Sequence, residues 1–506
     1  MPLRVRADFA YDGTFSADLT PDIQAINWTL GMRRPYQLTG DGTQCVITLN
    51  SPDGKYLPEN PYSPHYPYLL PYRRVQVYWD TLGSETILWT GRIQQGGIRC
   101  PWKPAGASLP SLPVTLTCVG PKLTLDKTPV SLDPYTDTTV DVILGEILRE
   151  SHYSMATNDE WILGDPVYSI LGSTTILTSA ADLDTGVVTL PSYADIEMGM
   201  AFGVIKELLD CEQGRFFIQR NGRAAFWNRH HLLGNTAATA TVDTDAGVYK
   251  ARALEYTFGE TYINSVRVAI APRKASVEPE TLWTMNDAQL ALSAGSKMSL
   301  DVDLKTAEGR AVGASTDLAL EVTWLNDVSC QTAIKRAGAR AILTIDNTLG
   351  AQPVTLTAMS VTGTPIISQD SHEYEDENAA AVASYGKHPL TVVAGPTGDI
   401  DGGRYLAEWV QYDRGTLRGE VQALGWRVEK ESEVAPFPVD WSIGTLLSVD
   451  CDERHHTCDY WVMGEQWQWK TGGELDVTLR LERANQTVWL LGVAGRSEPD
   501  TAILGY

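Results

Sequence analysis

At 506 residues, 43% hydrophobic and 20% charged, the chain has the composition of a globular protein too long for one core, so several domains are expected. Forty Lys and Arg against 63 Asp and Glu give a formal net charge of -23, which excludes a basic footprint for free nucleic acid or anionic membrane. No apolar run reaches the roughly 18 residues of a spanning helix, and "MPLRVRADFA" lacks the apolar centre of a secretory signal, so synthesis in the cytosol is expected.

Strand signals open the chain. "QCVITLN" (44–50), "RRVQVYWD" (73–80), "TILWTGRIQQ" (86–95) and "PVTLTCVG" (113–120) are short β-branched and aromatic runs bounded by turn residues, and residues 1–125 read as a small β-barrel or sandwich. The texture then changes. In "DTTVDVILGEILRE", Val140, Ile143, Leu144, Ile147 and Leu148 share one helical face, with Asp137 or Thr138 as candidate N-cap. A second helix is expected at "AFGVIKELLDCEQG", ended by Gly214. "RFFIQRNGRAAFWNR" follows as two strands around Asn221-Gly222, the pair that a type I′ turn prefers, so residues 126–245 form an α+β unit.

From 246 to 365 the β pattern returns, with Val266, Val268 and Ile270 alternating and with the runs "LALEVTWL" and "PVTLTAMSV". Residues 366–506 add a helix at "GGRYLAEWVQYDRG" and the strands "GTLLSVDC", "CDYWVMGEQWQW" and "ELDVTLRLE". The acidic "SHEYEDEN" (371–378) is read as a solvated loop. The fold class is thus mainly β with a smaller α+β part.

Chemistry-bearing motifs are sparse. HExxH, GxSxG, a P-loop and a strand-borne GxGxxG are all missing, and His230-His231 sits without a neighbouring Cys or acidic ligand in sequence, as in a surface turn. The seven cysteines, Cys45, Cys100, Cys118, Cys211, Cys330, Cys451 and Cys458, are an odd number and mostly isolated in apolar strand-like stretches, where buried free thiols are expected. Cys451 and Cys458 flank a hairpin tip, "CDERHHTC". A zinc site drawn from Cys451, His455, His456 and Cys458, a disulfide across the hairpin base and an unliganded hairpin are all open there. Adjacent histidines point apart, the CxxC knuckle is missing and a cytosol is reducing, which favours the last. No catalytic, cofactor-binding or metal-binding residue is assigned.

The order of segments resembles the hub, or tail-tip, proteins of long-tailed bacteriophages, related in fold to the baseplate hubs of contractile tails. The resemblance lies in "DLTPDIQAINWTLGMRR" (18–34), "TQCVITLNSPDGKYLPENPYSPHY" (43–66), "LLPYRRVQVYW" (69–79) and "ILWTGRI" (87–93). It continues in "LLDCEQGRFFIQRNGRAAFWNR" (208–229), "YINSVRV" (262–268), "IDNTLGAQPVTLTAMSVTGTPI" (345–366), "ASYGKHPL" (383–390) and the closing strands from "GTLLSVDC" onward.

That resemblance implies a multidomain protein with β-barrel-like hub domains. It also implies a homotrimeric ring, located in the virion at the distal end of the tail. There it would close the tail tube beside the distal tail protein, the tape measure protein and tip or fibre proteins, and open for DNA passage, with neither cofactor nor sequence-specific nucleic-acid binding. The negative charge then has two readings: an acidic channel wall that repels sliding DNA, or solubility alone. Two other functions are carried forward. A receptor-binding protein would use the 15 Trp and 21 Tyr as sugar-stacking platforms, whereas a tail-associated hydrolase would need a carboxylate pair or an activated nucleophile, for which no motif shows.

Overall fold

The computed structural model describes residues 3–100, 112–153, 181–193, 199–243, 249–395, 400–428, 438–471, 474–484, 488–489 and 503–504, apart from 42, 82, 131, 133, 235–236, 252, 286–288, 311, 313, 326–329 and 338. The expected N-terminal strands form as Gln44–Ser51, Arg74–Thr81, Ser84–Arg99 and Leu112–Val119. Gln44–Ser51 alternates buried and partly exposed residues along its length, as a half-covered strand must.

The main sheet has 14 strands and unites the two ends of the chain. Ile23–Gly31 pairs on one edge with Gln44–Ser51 and on the other with His456–Lys470, both antiparallel. His456–Lys470 in turn pairs with Leu446–Cys451 and Glu474–Arg483. One core therefore holds Leu3, Trp28, Ile47 and Trp89 together with Leu424, Val449, Trp467 and Leu479. At the end of the junction Gly31 lies opposite Gly464, where the backbones crowd: a Cβ on Gly464 would sit 2.0 Å from the Met32 carbonyl oxygen.

This pairing overturns the expected β-barrel-like hub domains. A strand has two hydrogen-bonding edges, and Ile23–Gly31 uses its second for the C-terminal segment, so the N-terminal strands continue into a larger sheet instead of returning to Leu3–Asp8. No sheet among the described residues closes on itself.

A second core joins the helices Val140–Tyr153, Ala201–Glu212 and Ile400–Arg414 to the hairpin Arg215–Ile218/Ala224–Trp227 and to the three-stranded sheet of His372–Glu377, Ser265–Ile270 and Pro389–Val393. The predicted helical face of Val140, Ile143, Leu144, Ile147 and Leu148 is fully buried. Local details differ from expectation. Asp137 and Thr138 belong to the strand Tyr135–Thr139, which runs straight into its helix. The second helix ends on left-handed Gln213 (φ 53) rather than on Gly214, whose lack of a Cβ serves close packing against Trp227 O. At the hairpin only Gly222 of the predicted pair has positive φ (87), and Gln219 N–H bonds Arg223 O. That is the longer turn with a glycine bulge, not type I′.

"SHEYEDEN" is not a loop. His372–Glu377 is an edge strand antiparallel to Ser265–Ile270, with Tyr374 and Asp376 on its partly covered side and Glu373, Glu375 and Glu377 exposed. Charged side chains on an edge strand discourage unwanted pairing. Between Ile270 and His372, which oppose each other in that pair, the chain leaves to build a separate β-sandwich. Its two sheets, centred on Val354–Ser368 and Arg340–Asp346, enclose Leu282, Leu343, Leu356 and Val361 in their own core.

Candidate functional site

Three buried glutamates organise the junction between the main sheet and the helix–hairpin unit. Glu465, Glu482 and Glu420 come from the strands His456–Lys470, Glu474–Arg483 and Gly419–Val428, and each meets an arginine. Arg220, in the hairpin turn, straddles Glu465 with Nε and Nη2 and donates from Nη1 and Nη2 to the carbonyls of Val439 and Trp441. Trp467 Nε1 also donates to Glu465, at 2.9 Å. Arg215, on the first hairpin strand, reaches Glu482 at 3.0 Å, and Tyr36 N–H donates to the same carboxylate. Arg418 joins Glu420 to the Tyr36 hydroxyl, and burial together with Asp413, Glu420 and Glu482 pushes that phenol well up.

Every charge of these pairs has a partner, so the cluster acts as a clamp of fixed geometry. Residues 38–40 fasten the same unit from the other side, through Phe216 N–H to Leu38 O and Gly40 N–H to Phe216 O. Sequence reasoning missed the clamp because isolated Arg and Glu residues carry no motif. The available signal was Glu465 inside the otherwise apolar "YWVMGEQWQW".

Beside the clamp lies a cavity of about 70 Å³ lined by Tyr36, Arg215, Trp227, Trp409, Asp413 and Glu482 among others. The Asp413 residue keeps some exposed surface, but its carboxyl is enclosed, and burial with Glu482 nearby pushes it up to about 6 against the pull of Arg215, Arg418 and Arg414. A carboxyl raised in the folded state stabilises the fold fully below its unfolded value, about pH 4, and that contribution is lost as pH rises through about 6. Asp413→Asn is expected to gain thermal stability relative to the parent as pH goes from about 4 to 7; parallel melting curves across that range check it.

The Cys/His turn proves to be a short hairpin. Cys451 opposes His456 and Val449 opposes Cys458, so the two cysteines are offset rather than cross-strand partners, and both are free thiols. His455 adopts left-handed φ (49) at the exposed tip. His456 Nε2 lies 2.6 Å from the Tyr460 hydroxyl, which itself accepts from Val421 N–H, and burial, then Arg483, shifts the imidazole down from its ordinary value. Among the described residues no group of three or more His, Cys, Asp or Glu is placed to hold a metal. Changing Cys451 and Cys458 together to Ser is expected to cost about 1–3 kcal/mol, for a hydroxyl in the nearly closed Cys451 site, not the ~10 kcal/mol of a lost structural zinc. Melting curves and metal analysis of the purified protein decide between the two.

His231 has the acidic neighbour that its sequence context lacked. Asp184 Oδ2 lies 2.7 Å from its Nδ1, while the ring stacks on Trp227 at 4.3 Å. The tryptophans serve the core: of the Trp side chains whose burial is described, none is exposed. Exposed aromatic side chains are instead concentrated at Tyr62, Tyr66, Tyr68 and Tyr72, in the segment 52–73.

No protein-family model and no curated protein matches the chain. Among solved structures it is similar to the tail protein from Neisseria meningitidis MC58, with a TM-score of 0.48, 10% identity and 95% of each chain covered. It is also similar to the 43 kDa tail protein of prophage MuSo2 from Shewanella oneidensis, with a TM-score of 0.46 and 9% identity over 95% of this chain and 98% of that one. A third is the prophage tail protein gp18 from Listeria monocytogenes EGD-e, at 0.40 and 10% over 95% and 94%. At such identities and scores no residue's role passes from these proteins to this chain.

Proposed function

We infer that the protein is a structural component of a phage tail, a hub at the distal end of the tail tube that works by assembly and not by turnover. The observation that carries the reading is the union of the chain's two ends. The segments whose order resembles tail hubs, 18–34 and 43–66 on one side and 444–482 on the other, contribute strands to one continuous sheet, with Ile23–Gly31 paired directly to His456–Lys470. A sheet that joins N-terminal and C-terminal strands, with the helix–hairpin unit clamped to it by two buried Arg–Glu pairs, suits a part that transmits load between neighbours.

In the finer reading three copies form a ring at the tail tip, held between tube, distal tail protein, tape measure protein and tip or fibre proteins, and the ring opens for DNA. The acidic excess then lines the channel, where carboxylates deny a sliding polyanion the phosphate contacts that would hold it. Mass photometry of the purified protein and reconstruction of the virion tail are expected to give three copies. Six copies per tail would overturn the hub assignment in favour of the ring above it. A basic or neutral inner wall in the trimer would remove the proposed use of the charge while sparing the hub.

A further inference from the structure

Residues 52–73 join Gln44–Ser51 to Arg74–Thr81 and form a stiff, one-sided segment. Prolines stand at Pro58, Pro61, Pro64, Pro67 and Pro71, and successive turns are closed by Asn60 N–H to Leu57 O, Ser63 N–H to Asn60 O, Tyr66 N–H to Ser63 O and Tyr68 N–H to His65 O. On its inner side Tyr56 and Leu69 are buried, and the His65 ring stacks on Tyr56 and meets Phe9 edge-on. On its outer side Tyr62, Tyr66, Tyr68 and Tyr72 are 93%, 47%, 50% and 53% exposed. Ordered backbone beneath exposed tyrosines is the composition of a recognition surface: each ring offers large contact area for little lost conformational freedom.

The same segment is an electrostatic exception. From Asn60 to Trp79 there is no carboxylate, and Arg73 and Arg74 lie within that stretch, in a chain of net charge -23. A surface of opposite kind exists on the same molecule. The sheet of His372–Glu377, Ser265–Ile270 and Pro389–Val393 packs one face on the helix Ile400–Arg414. Its other face carries Glu373, Glu375 and Glu377, with Val393 61% exposed and Tyr385 58% exposed nearby. Arg267 and Lys387 pair with these glutamates only at the solvent surface and leave the face acidic.

We propose that the segment of Tyr62 to Arg73 in one subunit docks on the Glu373–Glu375–Glu377 face of the next. Tyrosine hydroxyls donate to the carboxylates, Arg73 adds a positive charge, and the rings cover Val393 and Tyr385. Two unlike patches on one chain make a head-to-tail contact, the kind that closes into a ring when the rotation fits. The docking thus rests on the trimeric hub reading and specifies its interface.

The test replaces Tyr66 by the photo-crosslinker p-benzoylphenylalanine in the full chain, mixes ¹⁴N- and ¹⁵N-labelled protein, irradiates both the purified ring and assembled virions, and maps the adducts by mass spectrometry. Adducts between light and heavy chains within residues 372–393 are expected. Glu373→Lys combined with Glu375→Lys, shown by its melting curve to fold although the two glutamates also pair with Arg267 and Lys387, is expected to raise the trimer dissociation constant at least tenfold and abolish those adducts. A trimer whose adducts fall elsewhere, or one untouched by the charge reversal, overturns the docking while leaving the hub reading intact. Adducts only to another tail protein or to an added glycan overturn it too. A chain that is monomeric in solution and present in other than three copies per virion removes both.

Discussion

Arg220→Ala is expected to destabilise the protein by about 3–5 kcal/mol, because it strands the Glu465 carboxylate in the interior. The Glu465 side chain is 0% exposed and Arg220 supplies three of its hydrogen bonds, with Trp467 Nε1 supplying another. The truncation also leaves the Val439 and Trp441 carbonyls without their guanidinium donor. Arg220→Lys should recover only part of the loss, since one ammonium cannot span a bidentate carboxylate and two carbonyls at once.

The pair Arg220→Met with Glu465→Met separates charge from packing. With no charge left behind, most of the cost of the single truncation should disappear. Some should persist, because Trp467 Nε1 and the two carbonyls lose partners in the double variant as well. Thermal denaturation, with hydrogen exchange across 215–228 and 461–469, measures both. A single truncation costing under about 1 kcal/mol would mean that the clamp is solvated in solution and does not fix the hairpin unit to the sheet.

Much of the β architecture was legible because strand signals are local. "QCVITLN" declares its own alternation, and the runs at 113–120 and 474–482 do the same. The edges at which such strands meet are not local. Nothing near Ile23–Gly31 announces that its second edge belongs to a partner more than 400 residues away, and neither the strand runs of residues 1–125 nor the resemblance behind the expected β-barrel-like hub domains carries that pairing. The acidic strand 372–377 was misread for a related reason. Its charges look solvated in isolation, and only the neighbouring Ser265–Ile270, with Arg267 on the same face, makes it part of a sheet. The four Cys and His residues at 451–458 raised a question that sequence left open, whereas Glu465 and Glu482, which the fold does bury, attracted no notice, since their arginines lie 245 and 267 positions away.

The last expected result concerns the seam between the two ends of the chain. Trp28 and Trp467 oppose each other in register across it, stacked at 5.4 Å and 7°, and both are almost wholly buried. Either ring replaced by alanine should cost about 3–5 kcal/mol, from lost burial and from a cavity that a β-sheet cannot collapse to fill. The double alanine variant should lose less than the sum, by the roughly 0.5–1.5 kcal/mol that a stacked pair contributes beyond area. Trp467→Phe divides the effect further. It keeps an aromatic ring for Trp28 but removes the indole N–H that donates to Glu465, and the clamp beyond the seam should loosen with it. Hydrogen exchange therefore ought to rise in two places, along 23–31 and in the hairpin 215–228 that Arg220 ties to Glu465. Exchange confined to the seam would show that sheet and hairpin unit are stabilised independently, and would count against the proposed load-bearing role.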